Sequence, residues 1–73
     1  MTGQIARLDS GWGFITADDG ERLYFNTSGL QLSSVQFQYL NVGDKCRFTA
    51  IDHPKGPRAI EVYVADERKG SLL

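Results

Sequence analysis

The sequence predicts an all-β domain, a small barrel or sandwich of five short strands. Three observations point there. Apolar and polar residues alternate over short runs, which is the period of a half-buried strand. Glycines and Asp/Asn/Pro clusters separate those runs at short intervals. No segment carries a long, clean helical period. With 73 residues there is room for one domain, since domains rarely reach below about 40 residues and usually run about 100–150.

The first run is Gly3–Leu8, ended by Asp9-Ser10-Gly11. Trp12–Thr16 follows and stops at Asp18-Asp19-Gly20, where Asp and Gly accept the positive φ of a hairpin turn. Leu23–Asn26 is the third run. Ser28–Val42 is long and polar and reads as a loop with room for one helical turn. Lys45–Ile51 is the fourth strand, closed by the loop Asp52–Pro57, and Arg58–Val64 is the fifth. The domain therefore spans residues 1–66, and Glu67–Leu73 reads as a frayed tail.

Neighbouring side chains of a strand point to opposite faces. Ile15 therefore faces away from Trp12, Phe14 and Thr16, while Leu23 and Phe25 face away from Tyr24 and Asn26. Pairing the two runs through the Asp19-Gly20 turn puts Ile15, Leu23 and Phe25 on a core face. A small barrel has one interior, and Cys46, Phe48, Ile60, Val62 and Val64 also claim it. Trp12, Phe14 and Tyr24 are left together on the outside. Contiguous exposed aromatics on a small soluble domain mark a binding surface. Each unpaired base stacked on such a ring contributes about 1–3 kcal/mol. The structural alternatives are cross-strand ring packing, at about 0.2–1 kcal/mol per pair, and cover from the long loop. Gly11 and Gly13, interleaved with the rings, leave them unobstructed on this reading.

At these residues the chain resembles a known family. Ser10-Gly11-Trp12-Gly13-Phe14-Ile15 is similar to the Lys-Gly-Phe-Gly-Phe-Ile motif of the cold-shock domain. Leu23-Tyr24-Phe25-Asn26-Thr27-Ser28 is similar to its second motif, Val-Phe-Val-His-Phe-Ser. Gly3-Gln4-Ile5, Val42-Gly43-Asp44 and Gly56-Pro57-Arg58-Ala59 continue the resemblance in order over nearly the whole chain. It implies a five-stranded antiparallel OB-type barrel whose second and third strands carry a nucleic-acid-binding face. It also implies binding of single-stranded RNA and DNA with little sequence selectivity, often as an RNA chaperone. On this resemblance Trp12 and Phe14 match the aromatics of the second strand, and Tyr24 the leading aromatic of the third. Phe37 matches a loop aromatic that closes over a bound base, and Arg58 a polar residue that touches bases.

Departures from the family pattern predict weaker binding with fewer stacked bases. Ser10 stands where the family has lysine, removing a phosphate contact. Arg7 replaces a first-strand tryptophan with a guanidinium that stacks or pairs with phosphate. Asn26 and Thr27 replace His and Phe, so an amide is gained and a stacking surface lost.

Eight Lys+Arg against nine Asp+Glu, a formal charge of −1, exclude binding by bulk positive charge alone. Arg7, Lys55 and Arg58 flank the aromatic face and are the candidate backbone guides. Two or three phosphate contacts give a shallow salt dependence, near −0.7 per phosphate in the double-logarithmic slope. Cys46 is a lone cysteine and reads as a small core hydrophobe. Its singleness, with no signal-peptide pattern and no apolar run of membrane-spanning length, points to a cytoplasmic protein without a membrane partner. His53 has no companion ligands, so no metal site is expected. Asp18 and Asp19 read as turn formers, and Gly11-x-Gly13 lacks the third glycine and the following helix of a dinucleotide site. No nucleophile, base and orienting group converge, so neither an enzyme nor a cofactor is expected.

The expected function is thus stacking-driven binding of single-stranded RNA or DNA, through Arg7, Trp12, Phe14, Tyr24, Asn26, Phe37, Lys55 and Arg58. The rival is a protein-interaction module that buries the same aromatics, with Tyr39 and Val35 of the long loop, against a partner. The chain is expected as a monomer, with a homodimer by strand or loop exchange as the alternative.

Overall fold

In a computed structural model, which describes residues 1–65, five strands close into one barrel. They are β1 (Thr2–Leu8), β2 (Trp12–Ala17), β3 (Arg22–Asn26), β4 (Lys45–Ile51) and β5 (Arg58–Tyr63). The barrel order is β1-β2-β3-β5-β4. The alternation reading is thereby matched strand for strand, with ends differing by one residue. The tail at Glu67–Leu73, and residue 66 before it, lie outside the described residues.

The β2–β3 hairpin turns at Asp18-Asp19-Gly20. Gly20, at φ 89°, donates its N–H to the Ala17 carbonyl at 2.8 Å. The Asp19 carboxylate accepts from the Glu21 N–H at 2.9 Å, an Asx turn that satisfies a donor the sharp reversal strands. All strand pairs are antiparallel except the closing one. There β3 meets β5 in parallel at Tyr24 and Arg58, and the Tyr24 N–H donates to the Pro57 carbonyl at 3.3 Å.

Two bulges shape the barrel. In β1 the register with β2 shifts between Ile5 and Arg7, so Ala6 is the extra residue and Arg7 comes to oppose Phe14 on the outer face. In β5 the register with β4 shifts between the Tyr63 and Ile60 partners. Glu61 sits there at φ 52°, the left-handed conformation that an extra residue in a bulge adopts. This bulge corrects one expectation. Ile60 is only half-buried, and Ala59 is buried in its place, because the inserted residue reverses the inward phase between Ala59 and Val62.

The interior holds Ile5, Ile15, Ala17, Leu23, Phe25, Leu40, Cys46, Phe48, Ala59, Val62 and Val64. The long loop contributes more than its polarity suggests. It carries two short 3-10 turns, Thr27–Gly29 and Phe37–Tyr39, and Leu40 enters the core. Its middle is strapped to the end of β5. The Gln31 and Val35 N–H groups donate to the Val62 and Val64 carbonyls at 2.8 and 3.0 Å, and the buried Ser34 hydroxyl accepts the Val64 N–H at 2.8 Å.

Cys46 is buried, as its alternation with Phe48 predicts. Burial, with Asp18 and Asp44 nearby, pushes its thiol up to about 11. The thiolate is the nucleophile, so native Cys46 is expected to resist iodoacetamide at pH 8 and to react at the rate of unfolding, a difference mass spectrometry reads directly. The sign for stability follows from the same shift. Between its ordinary value of 9.0 and about 11, the unfolded chain loses the thiol proton while the folded chain keeps it. Stability therefore falls as pH rises through that window.

Candidate nucleic-acid interface

The outer face of β2 and β3 is built by the same alternation that fills the core. Gly13, Ile15, Leu23 and Phe25 point inward, so Trp12, Phe14 and Thr16 on β2 and Arg22, Tyr24 and Asn26 on β3 point out. The pairing sets them in rows: Trp12 opposite Asn26, Phe14 opposite Tyr24, Thr16 opposite Arg22. The middle row extends across four strands, because Arg7 opposes Phe14 from β1 and Arg58 opposes Tyr24 from β5. Two rings are thus bracketed by two guanidinium-bearing side chains.

The three rings touch one another, and each keeps part of its surface in solvent. Trp12 meets Phe14 edge-on at 5.6 Å between centroids and lies nearly parallel to Tyr24 at 6.0 Å. Phe14 meets Tyr24 edge-on at 6.1 Å. These are favourable ring geometries, so cross-strand packing and external exposure hold together here. Each ring also carries an arginine. The Cζ atom of Arg7 lies 5.4 Å from the Trp12 centroid, that of Arg22 4.4 Å from Phe14, and that of Arg58 5.0 Å from Tyr24. Arg7 also pairs with Asp9 at 3.4 Å.

Arg22 was not among the residues singled out in the sequence. The signal was available, since it stands two residues before Tyr24 in the same strand and so shares its face. Asn26 is at the edge of the cluster opposite Trp12. Its Oδ1 caps the first 3-10 turn, accepting from the Ser28 hydroxyl at 2.6 Å and the Gly29 N–H at 3.3 Å.

Lys55 is exposed in the loop whose Pro57 carbonyl is bonded to Tyr24, which places that loop beside the rings. His53 is half-buried in the same loop and accepts the Lys55 N–H at Nδ1, 3.2 Å away.

The Phe37 ring packs on the core ring Phe25 at 5.7 Å and stays partly exposed. Gly13 differs from its expected part: it faces the interior, opposite the rings, so its missing Cβ serves packing and not ring exposure.

The sequence model of the 'Cold-shock' DNA-binding domain matches residues 1–65. This chain belongs to the cold-shock domain family. Among similar proteins, a cold shock-like protein of Thermotoga maritima is 32% identical over 68 residues, covering 90% of this chain and all of the relative. The cold shock-like protein CspJ of Salmonella typhi is 38% identical over 55 residues, 74% of this chain and 76% of that protein. Among solved structures, Drosophila Unr CSD456 superposes with a TM-score of 0.67 at 26% identity over 88% of this chain. The present chain spans 26% of that structure's length. The barrel is accordingly the OB fold of a nucleic-acid-binding family, and its ring cluster lies on the second and third strands of this cold-shock domain. Among the described residues, no helix is long and apolar enough to cross a membrane.

Proposed function

We propose that this domain binds single-stranded RNA or DNA, with low sequence selectivity, by stacking bases on Trp12, Phe14 and Tyr24. The observation that carries the reading is the contiguous cluster of three part-exposed rings on the outer wall, each with an arginine beside it (Arg7, Arg22 or Arg58). Every base offers a π-face, so stacking tolerates any sequence. Asn26 contributes an amide donor at the edge. Arginine and lysine on the rim steer phosphates, a local attraction that a net charge of −1 does not cancel at contact distance. Binding of this kind holds transcripts single-stranded and melts weak hairpins by mass action, an RNA-chaperone role in the cytoplasm that needs neither catalysis nor a cofactor.

Trp12 reports the interaction. Its fluorescence is expected to be quenched on titration with oligo-U and oligo-dT, with a double-logarithmic salt slope of about −1.4 to −2.1 for two or three phosphates. No quenching at low salt would remove the reading. A second reading, a protein-interaction or dimerisation surface, is favoured by the exposed apolar side chains Leu32, Tyr39 and Val42 of the long loop. Val35, grouped with Tyr39 in the sequence, packs against the core instead. A concentration-dependent dimer in light scattering, combined with unquenched Trp12, would favour this second reading.

A further inference from the structure

The ring faces that a base needs are not empty. The Arg22 guanidinium carbon lies 4.4 Å from the centroid of Phe14, closer than the 4.5–7 Å typical of stacked ring centroids. A base cannot stack on that face of Phe14 while Arg22 remains there. Arg7 and Arg58 stand similarly over Trp12 and Tyr24, but farther, at 5.4 and 5.0 Å. Arg7 has Asp9 as a second partner at 3.4 Å. Arg22 is exposed and has no carboxylate partner among the described residues, so the ring is what holds its charge in place.

We propose that Arg22 is an exchangeable cap: it covers Phe14 in the free domain and moves to a backbone phosphate when a base takes the ring. The proposal rests on the stacking reading above and adds to it a residue that sets how binding responds to backbone charge. A nucleotide carries both groups the exchange requires. Its base replaces the guanidinium on the ring, and its phosphate replaces the ring as partner of the guanidinium. The long arginine stem permits the swing, and its planar, weakly hydrated head suits both positions. Two opposing contributions follow. Vacating the ring costs the cation–π contact, and reaching the phosphate gains an ion pair that salt weakens.

These contributions separate along a salt series. Labelled oligo-U is titrated against wild type, R22A and R22K from about 20 mM to about 1 M salt, where the screening length shortens to about 3 Å. R22A loses one phosphate contact, so its double-logarithmic slope is shallower by about 0.7. At about 1 M, where that contact is screened, R22A binds about two- to fivefold tighter than wild type, the size of a surface cation–π contact no longer in competition. At about 20 mM it binds about three- to eightfold weaker, because the slope difference accumulates over the range. The two lines cross. R22K keeps the wild-type slope, since the charge remains, yet gains affinity at high salt because an ammonium does not plate the ring.

Parallel lines for wild type and R22A overturn the phosphate half of the exchange. R22A that is weaker at every salt concentration overturns the capping half and makes Arg22 an extra stacking surface. Phe14→Ala in the same series keeps the stacking reading separate. If it leaves affinity unchanged, the stacking reading falls and the cap falls with it; if it weakens binding while the Arg22 lines do not cross, only the cap falls.

Discussion

Gly13→Ala is expected to lower the melting temperature by about 8–20 °C, the consequence of roughly 2–3 kcal/mol of overpacking in so small a domain. Gly13 stands opposite Leu8 of β1 and faces inward. A Cβ there would overlap the Arg7 carbonyl oxygen and come within 2.9 Å of the Phe25 ring edge at Cε1. The first obstacle is backbone, fixed by the β1–β2 ladder, and the second is a ring with no exposed surface. Neither yields as the end of a flexible side chain does. Gly11 is the contrasting case. It adopts φ 78° with nothing within 4 Å of its missing Cβ, so its requirement is conformational and Asn, which tolerates the left-handed region, should serve there. Thermal unfolding followed by circular dichroism distinguishes the two positions. A Gly13→Ala variant within about 0.5 kcal/mol of wild type, the ordinary range for surface substitutions, would mean that the barrel relaxes around the added methyl and that close strand approach is not what fixes glycine there.

Period-two alternation makes most of this architecture legible in the sequence. It separates Ile15, Leu23 and Phe25 from Trp12, Phe14 and Tyr24 with no tertiary information, because a register error of one residue would turn the core out. The bulges were not readable. Nothing about Glu61 announces a left-handed residue, so the alternation continued through it and put Ile60 inside. The contact of Phe37 with Phe25 was not readable for another reason: a loop aromatic has no strand period to orient it. Arg22 was legible by the rule that placed Tyr24, but a charged residue at a strand start is easily taken for turn chemistry.

Phe14 touches both other rings of the cluster, and its removal should have the largest effect on binding. It is the only one of the three rings that sits in the four-strand row and also meets both of the other rings edge-on. Phe14→Ala is therefore expected to weaken oligo-U binding by about 10- to 100-fold, most of the range for loss of one stacked base. Trp12→Ala and Tyr24→Ala should each cost less. The double variant Phe14→Ala/Tyr24→Ala should fall short of the summed effects, because neighbours in contact are not independent. Fluorescence anisotropy of a labelled strand measures all four. A leucine at this position separates shape from greasiness: Phe14→Leu preserves apolar cover for the hairpin, and its melting should stay near wild type, but it presents no flat face. If Phe14→Leu binds as tightly as wild type, apolar contact suffices and planarity is irrelevant. If Phe14→Leu loses most of the affinity while Phe14→Tyr retains it, a flat π surface at this position is what the strand recognises.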